Sequence, residues 1–210
     1  MNALILIGLQ NDFLPGGAVP IAHAHAVIPL ANQLPGAFKL VVATQEWHPA
    51  NHVSFASVHS GQKPGETIQF KKQTQRLWPA HCVQNTRGAE LAAGLMINRV
   101  NKIFRQGLDA EVDNYSAFFD AGLDHPIGLH SYLKERNVAD LYLMGLATDG
   151  CVKATAIDAL SLGFGAILIE DACRGLNLQP EDSTRAIEEM KNAGVTVIHS
   201  RELLEISKRG

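Results

Sequence analysis

The chain is poor in the features that would announce several classes of protein. Its 210 residues include only three cysteines, Cys82, Cys151 and Cys173. The number is odd and the spacing wide, which argues against a disulfide framework and for reduced thiols. Long hydrophobic runs are missing: none approaches the roughly 18 apolar residues of a membrane span. The opening Met1-Asn2-Ala3-Leu4-Ile5-Leu6-Ile7-Gly8 lacks the basic start of a secretory signal. A cytoplasmic protein without membrane association is expected. Charge of one sign is also scarce, with a formal net charge of −3 and a pI near 6.3. The largest basic cluster is the pair Lys71-Lys72, so nucleic acid is not an expected partner. There is neither an internal repeat nor a linker-like boundary. With 46% hydrophobic residues the chain can bury one core, and a single domain over 1–210 is expected, with a homo-oligomer left open.

What is present is an alternation. Short apolar runs recur at 3–7, 40–43, 141–144, 166–169 and 195–198, with a weaker one at 101–104. Runs of that length without polar alternation suit strands buried on both faces. Amphipathic stretches lie between most of them, at about 22–33, 127–136, 152–162 and 180–192. This predicts an α/β fold, a parallel sheet covered on both faces with right-handed crossovers. Ligands of such sheets bind beyond the carboxyl ends of the strands, where Gly8, the 44–52 segment and the 146–151 segment all emerge. The exception is 45–96, rich in Gly, Pro, Gln, His and Ser and without a clear period. A long irregular segment inside a compact domain is usually functional.

Two sets of residues carry chemistry. Gly145-Leu146-Ala147-Thr148-Asp149-Gly150-Cys151 follows an apolar run and precedes a helical one. That places Cys151 at a strand-to-helix turn, where first-turn N–H groups favour a thiolate and can stabilise an oxyanion. Cys151 is a candidate nucleophile, against the blander role of a small packing residue. The second set is Glu46-Trp47-His48-Pro49-Ala50-Asn51-His52, followed by His81. Imidazoles and a carboxylate suit zinc, manganese or iron(II). Pro49 makes this a loop site rather than a helical zinc motif. The remaining histidines, His125 among them, have no comparable company.

Several segments together resemble the bacterial nicotinamidases (pyrazinamidases) of the isochorismatase-like superfamily. They are Leu9-Gln10-Asn11-Asp12-Phe13 with Pro15-Gly16-Gly17, Trp47-His48-Pro49-Ala50-Asn51-His52, Trp78-Pro79-Ala80-His81-Cys82-Val83-Gln84, Val112-Asp113-Asn114-Tyr115-Ser116-Ala117-Phe118-Phe119, the turn ending at Cys151, and Cys173-Arg174-Gly175-Leu176-Asn177. The resemblance implies a three-layer αβα, Rossmann-like fold with a six-stranded parallel sheet. It also implies a cysteine hydrolase that converts nicotinamide to nicotinate and ammonia. On this reading Cys151 is the nucleophile. The N–H groups of Ala147 and Cys151 hold the oxyanion, with a cis peptide at Leu146-Ala147. Glu46, His48, His52 and His81 bind one divalent metal ion, which anchors the pyridine nitrogen. Phe13 and Trp78 wall the ring pocket, with Tyr115 near.

The departures from the resemblance concern the same site. Gly8 stands where the family has its catalytic aspartate and Gln106 where it has its lysine. Glu46 replaces an aspartate, and Gly150 a bulkier side chain. A general acid–base contributes on the order of 10²- to 10⁴-fold, so the degenerate triad implies weak or lost classical activity. The alternative is a non-catalytic member that binds a metal and a nicotinamide-like molecule as a sensor or regulator. Asp149 is the best remaining acid in the local sequence, unless it caps a helix.

Overall fold

A computed structural model describes residues 1–71, 73–119 and 127–207 of the protein. Lys72 and His125 lie outside the described residues. In chain order the elements are β1 (Asn2–Ile7), α1 (Val27–Gln33), β2 (Leu40–Glu46), β3 (Thr67–Phe70), β4 (Gln73–Arg76), β5 (Lys102–Gln106), α2 (Leu129–Lys134), β6 (Asp140–Leu146), α3 (Lys153–Ser161), β7 (Gly165–Arg174), α4 (Asp182–Ala193), β8 (Thr196–Ile198) and α5 (Ser200–Ser207). Six strands form one sheet in the order β5-β2-β1-β6-β7-β8, and every neighbouring pair is parallel. Each expected apolar run is one of these strands. β2 is buried throughout, and in β1 only Asn2 is exposed, as strands covered on both faces should be. Helices flank the sheet: α1 and α5 associate with the turn at 34–37, while α3 packs on α4. Among the described residues no helix is long and apolar enough to cross a membrane.

The chain leaves β1 towards β2 and β5 on one side and towards β6, β7 and β8 on the other. The carboxyl ends of β1, β2, β5 and β6 therefore meet at a switch point, the usual place for a ligand crevice. Gly8, Glu46, Gln106 and Cys151 all belong to those ends.

Three elements differ from expectation. The stretch at 22–33 is a short 3-10 turn, Ala24–Ala26, followed by α1. Starting at Val27 places Pro29 in the first turn, where its missing N–H costs no intrahelical bond. The 45–96 segment is not wholly irregular: β3 and β4 pair as an antiparallel hairpin. Helix α5 begins after His199, whose N–H donates to Glu202 Oε1, half of a capping box.

Candidate active site and metal centre

Cys151 lies in the tight turn Thr148–Val152 between β6 and α3, and its side chain is largely buried. The N–H groups of Gly150 and Val152 both donate to Ala147 O, at 3.0 and 3.1 Å, closing the turn. The peptide between Leu146 and Ala147 is cis. Cys151 Sγ donates to Glu46 Oε1 at 3.3 Å. Burial, then the charge of Glu46 and this hydrogen bond, push the Cys151 thiol well above its ordinary pKa. In the absence of a metal ion, burial and the neighbouring carboxylate thus outweigh the expectation that a helix start would favour the thiolate. Cys82 is also pushed well above its ordinary value and Cys173 to about 12, both by burial first. Of the three, Cys151 is the one that lines the cavity.

Glu46 ends β2 and is itself buried. Its second oxygen, Oε2, lies 3.1 Å from His48 Nε2 and 3.4 Å from His81 Nε2. His48 Nδ1 donates to Gly107 O at 3.1 Å and His81 Nδ1 donates to Pro79 O at 2.9 Å. A carbonyl only accepts, so in the neutral tautomer of each histidine Nε2 is a lone pair facing a carboxylate oxygen. That convergence becomes attractive only with a cation present, either a proton on an imidazole or a metal ion. The three donors are mutually close enough to bind one ion, and an N,N,O set suits zinc, iron(II) or manganese. Without an ion, burial raises the pKa of Glu46, but the hydrogen bonds and charge of His48 and His81 hold it far below the ordinary carboxylate range. Burial lowers His81, and the partner carboxylate more than offsets this, leaving it raised. Gly107 makes the close approach possible. Its φ of +71° is one that glycine adopts freely, and a Cβ there would run into the His48 imidazole.

His52 stands apart from this trio. Its Nδ1 accepts from the Ser54 N–H at 3.3 Å and lies 2.8 Å from Ser54 Oγ, while Nε2 donates to Val112 O at 3.0 Å. Its ring stacks at a tilt on His48, with centroids 4.4 Å apart. Burial and the charge of His48 lower its pKa to about 4.

A cavity of about 520 Å³ opens over Cys151 and this group. Phe13, Trp78 and Tyr115 all line it, as does Ala147. Asp113 also faces the cavity, and the sequence reading gave it no role. Its Oδ2 accepts from Gln75 Nε2 at 2.6 Å and from the Tyr115 hydroxyl at 3.2 Å, tying the β4 strand to the aromatic wall. Its signal in the sequence was an acid inside the apolar and small-residue stretch 112–119.

The acids near the turn or near Gly8 in sequence are engaged elsewhere. Asp149 accepts from the N–H groups of Leu176 and Asn177, at 2.8 and 2.7 Å, and so pins the exit from β7 rather than capping α3. Asp12 accepts from the Cys82 N–H at 2.7 Å. At the two positions where the resemblance leads one to expect an acid and a cation, Gly8 has a φ of +60° and a Cβ there would lie 2.7 Å from Leu146 O. Gln106 is almost wholly buried, and its Oε1 has no hydrogen-bond partner among the described residues.

The chain is similar to known proteins along nearly its whole length. The isochorismatase domain family matches residues 2–202. A curated nicotinamidase of Acinetobacter baylyi is 45% identical over 96% of this chain and 94% of its own length. The structure of the yeast nicotinamidase Pnc1p bound to the inhibitor nicotinaldehyde superposes with a TM-score of 0.89 at 31% identity, over 95% of this chain and 100% of that one. The pyrazinamidase of Pyrococcus horikoshii in complex with zinc superposes with a TM-score of 0.76 at 38% identity, over 94% and 98% of the two chains.

Proposed function

The chain belongs to the nicotinamidases of the isochorismatase family, and from that premise we propose that it is an amidohydrolase acting on the carboxamide of a nicotinamide-like small molecule, with Cys151 as nucleophile. The observation that carries this reading is the opening of a thiol, a metal-competent Glu/His/His group and three aromatic walls into one cavity. A planar heteroaromatic amide fits between Phe13, Trp78 and Tyr115, with its carboxamide over Cys151. The ligand named for the yeast relative, nicotinaldehyde, has the same ring with an aldehyde in place of the amide.

Glu46, His48 and His81 hold one divalent ion on this reading. The ion supplies a Lewis-acid anchor for the ring nitrogen, while zinc in the Pyrococcus relative supports the ion's presence here. The backbone N–H groups of Ala147 and Cys151 stabilise the oxygen as sulfur attacks, a contribution of about 3–4 kcal/mol per donor in comparable sites. His52 orders the loop behind His48 through Ser54 and Val112. With Gly8 and Gln106 at the positions of the family's acid and cation, turnover is slower than in a complete triad by about a hundredfold or more. A cytoplasmic site of action suits three unpaired thiols.

The test is ammonia release from nicotinamide and pyrazinamide by the metal-loaded protein and by Cys151→Ala. Release that disappears in the variant supports the reading. Tight binding of nicotinamide with no release dependent on Cys151 would instead favour a binding protein that has kept the family's pocket.

A further inference from the structure

The cavity is longer than the ring it is proposed to hold. Its inner end is the Glu46, His48 and His81 group with the aromatic walls, and Phe13 lies against His81 with ring centroids 5.8 Å apart. Cys151 touches Glu46 on one side, and on the other the chain runs directly into α3, which packs on α4. The cavity continues over these two helices, lined by Lys153 and Ala154 of α3 and by Arg185, Ala186 and Glu189 of α4. At about 520 Å³ it falls in the range of pockets that take drug-sized ligands, whereas nicotinamide, one ring with one carboxamide, occupies the inner end alone. The outer end has an aliphatic lining of Val19, Ile21, Leu176 and Leu178, and Leu178 is 45% exposed. Its charges are already matched: Lys153 Nζ lies 2.9 Å from Glu189 Oε2, Arg185 is paired with Asp182, and Asp149 accepts from the backbone of Leu176 and Asn177. An anion such as a phosphate would have to break those pairs to bind. An uncharged apolar group leaves them in place and gains from covering the aliphatic surface. Beside Cys151 the passage is open at Gly150, where an added Cβ would meet only Ala147 Cβ, at 3.8 Å, so a larger side chain there would take up cavity space.

Resting on the amidohydrolase reading above, we propose that the substrate is a secondary amide, a heteroaromatic carboxamide whose nitrogen carries an uncharged apolar group, and that the outer end of the cavity holds that group. The point of attachment follows from the substituents of the carboxamide carbon. The ring lies between the aromatic walls, and the oxygen lies at the N–H groups of Ala147 and Cys151. The part of the cavity left to the nitrogen is the end lined by α3 and α4. Hydrolysis breaks the C–N bond, with water supplying its hydroxyl to the acyl carbon and a proton to the departing nitrogen. The products are a heteroaromatic carboxylic acid and a primary amine.

The experiment gives the metal-loaded protein nicotinamide, N-butylnicotinamide and a nicotinamide with the same butyl chain on its ring, and follows by chromatography the carboxylic acid formed from each. One methylene in an apolar pocket is worth roughly 10- to 200-fold in kcat/KM, so N-butylnicotinamide is expected to exceed nicotinamide by at least about tenfold, and the ring-substituted amide to show no such gain. Leu178→Asn and Gly150→Leu, each checked for folding by thermal unfolding, are expected to cut the N-butyl advantage by about tenfold or more. Leu178 is exposed enough that its replacement leaves the core intact, so this variant carries the test if Gly150→Leu does not fold. The proposal is overturned if N-butylnicotinamide is no better a substrate than nicotinamide, if the ring-substituted amide gains instead, or if the N-butyl advantage survives in the folded variants. If none of the amides is hydrolysed, the amidohydrolase reading fails, and calorimetry decides the outer end separately. Binding of N-butylnicotinamide about tenfold or more tighter than nicotinamide, with the gain lost in Leu178→Asn, upholds a place there for the nitrogen's apolar group; equal or weaker binding removes it.

Discussion

The two corners of this cleft stand within one sheet, yet they have been treated oppositely. At the ends of β2 and β6, with the loop that carries His81, Glu46 meets Cys151 on one oxygen and two imidazoles on the other, and every member of the group has a partner. At the ends of β1 and β5, Gly8 offers no side chain and the buried Gln106 oxygen has no partner among the described residues. Buried charge survives where it is paired, and removing one member of a pair strands the other at a cost of about 3–5 kcal/mol. A corner that holds neither an acid nor a cation does not bear that cost. The uncharged corner is therefore compatible with a well-packed fold. The filled corner joins a metal-competent group to the thiol through one carboxylate, whose two oxygens reach the imidazoles and the sulfur.

The comparison breaks first, and with the largest effect, at the nucleophile. Replacing Cys151 by Ala should reduce ammonia release to background, whereas a change at the uncharged corner such as Gln106→Asn should alter it by less than about tenfold. A variant of Gln106 that abolished turnover in a correctly folded protein would show that the uncharged corner acts in the reaction.

Metal content comes next. His48→Ala leaves Glu46 Oε2 facing one imidazole instead of two, and a ligand set reduced to two residues should lose most of its ion to a mild chelator that the unmodified protein withstands. Elemental analysis after dialysis reads this directly. Retention of a full equivalent in the variant would show that the ion is held elsewhere. His52→Ala sharpens the point: with both nitrogens engaged by Ser54 and Val112, its loss should leave the ion in place and act on stability instead.

How much of this was legible in the chain can be judged residue by residue. The six strands were readable because strands covered on both faces must be apolar throughout, as residues 3–7 and 141–144 are. The β3–β4 hairpin was not, because Gln73-Thr74-Gln75-Arg76, exposed at its first two residues and half-buried at the others, is wholly polar and carries no apolar alternation to betray a strand. In the site, His48 and His81 were found from their spacing and their company of Trp and Pro. His52 shares that spacing, and only its local hydrogen bonds turn it away from the trio. Glu46 was recognised as a member of the metal group, but its contact with Cys151 joins residues 105 apart and depends on side-chain length, which no local pattern encodes. Asp149 is the converse, close to Cys151 in sequence and committed to the backbone of another loop.

A smaller effect is expected from filling the uncharged corner. Gly8 occupies a left-handed backbone conformation, and a Cβ would approach Leu146 O at 2.7 Å. Gly8→Asp should therefore destabilise the fold by about 1–3 kcal/mol, from strain together with an unpaired carboxylate. Adding Gln106→Lys should return part of that loss beyond simple additivity, by about 1 kcal/mol or more, because the two charges then act as a pair. Denaturant unfolding of the two single variants and the double variant measures the coupling. Strict additivity would mean that an acid at 8 and a cation at 106 do not meet in this fold.

The smallest effect is at Gln106 alone. Its Oε1 is buried without a partner, so the folded state bears the desolvation of an acceptor that water satisfies in the unfolded chain. Gln106→Met keeps a flexible, unbranched side chain of similar length and removes that acceptor. It should leave the Trp47 N–H bond to the residue's backbone carbonyl, 2.9 Å long, undisturbed. Stability should rise by roughly 1 kcal/mol, visible as a higher denaturant midpoint at unchanged slope. A fall of that size would show that the amide holds a hydrogen bond the fold depends on. The uncharged corner would then be a second, weaker polar network, and the contrast with Glu46 would be one of degree.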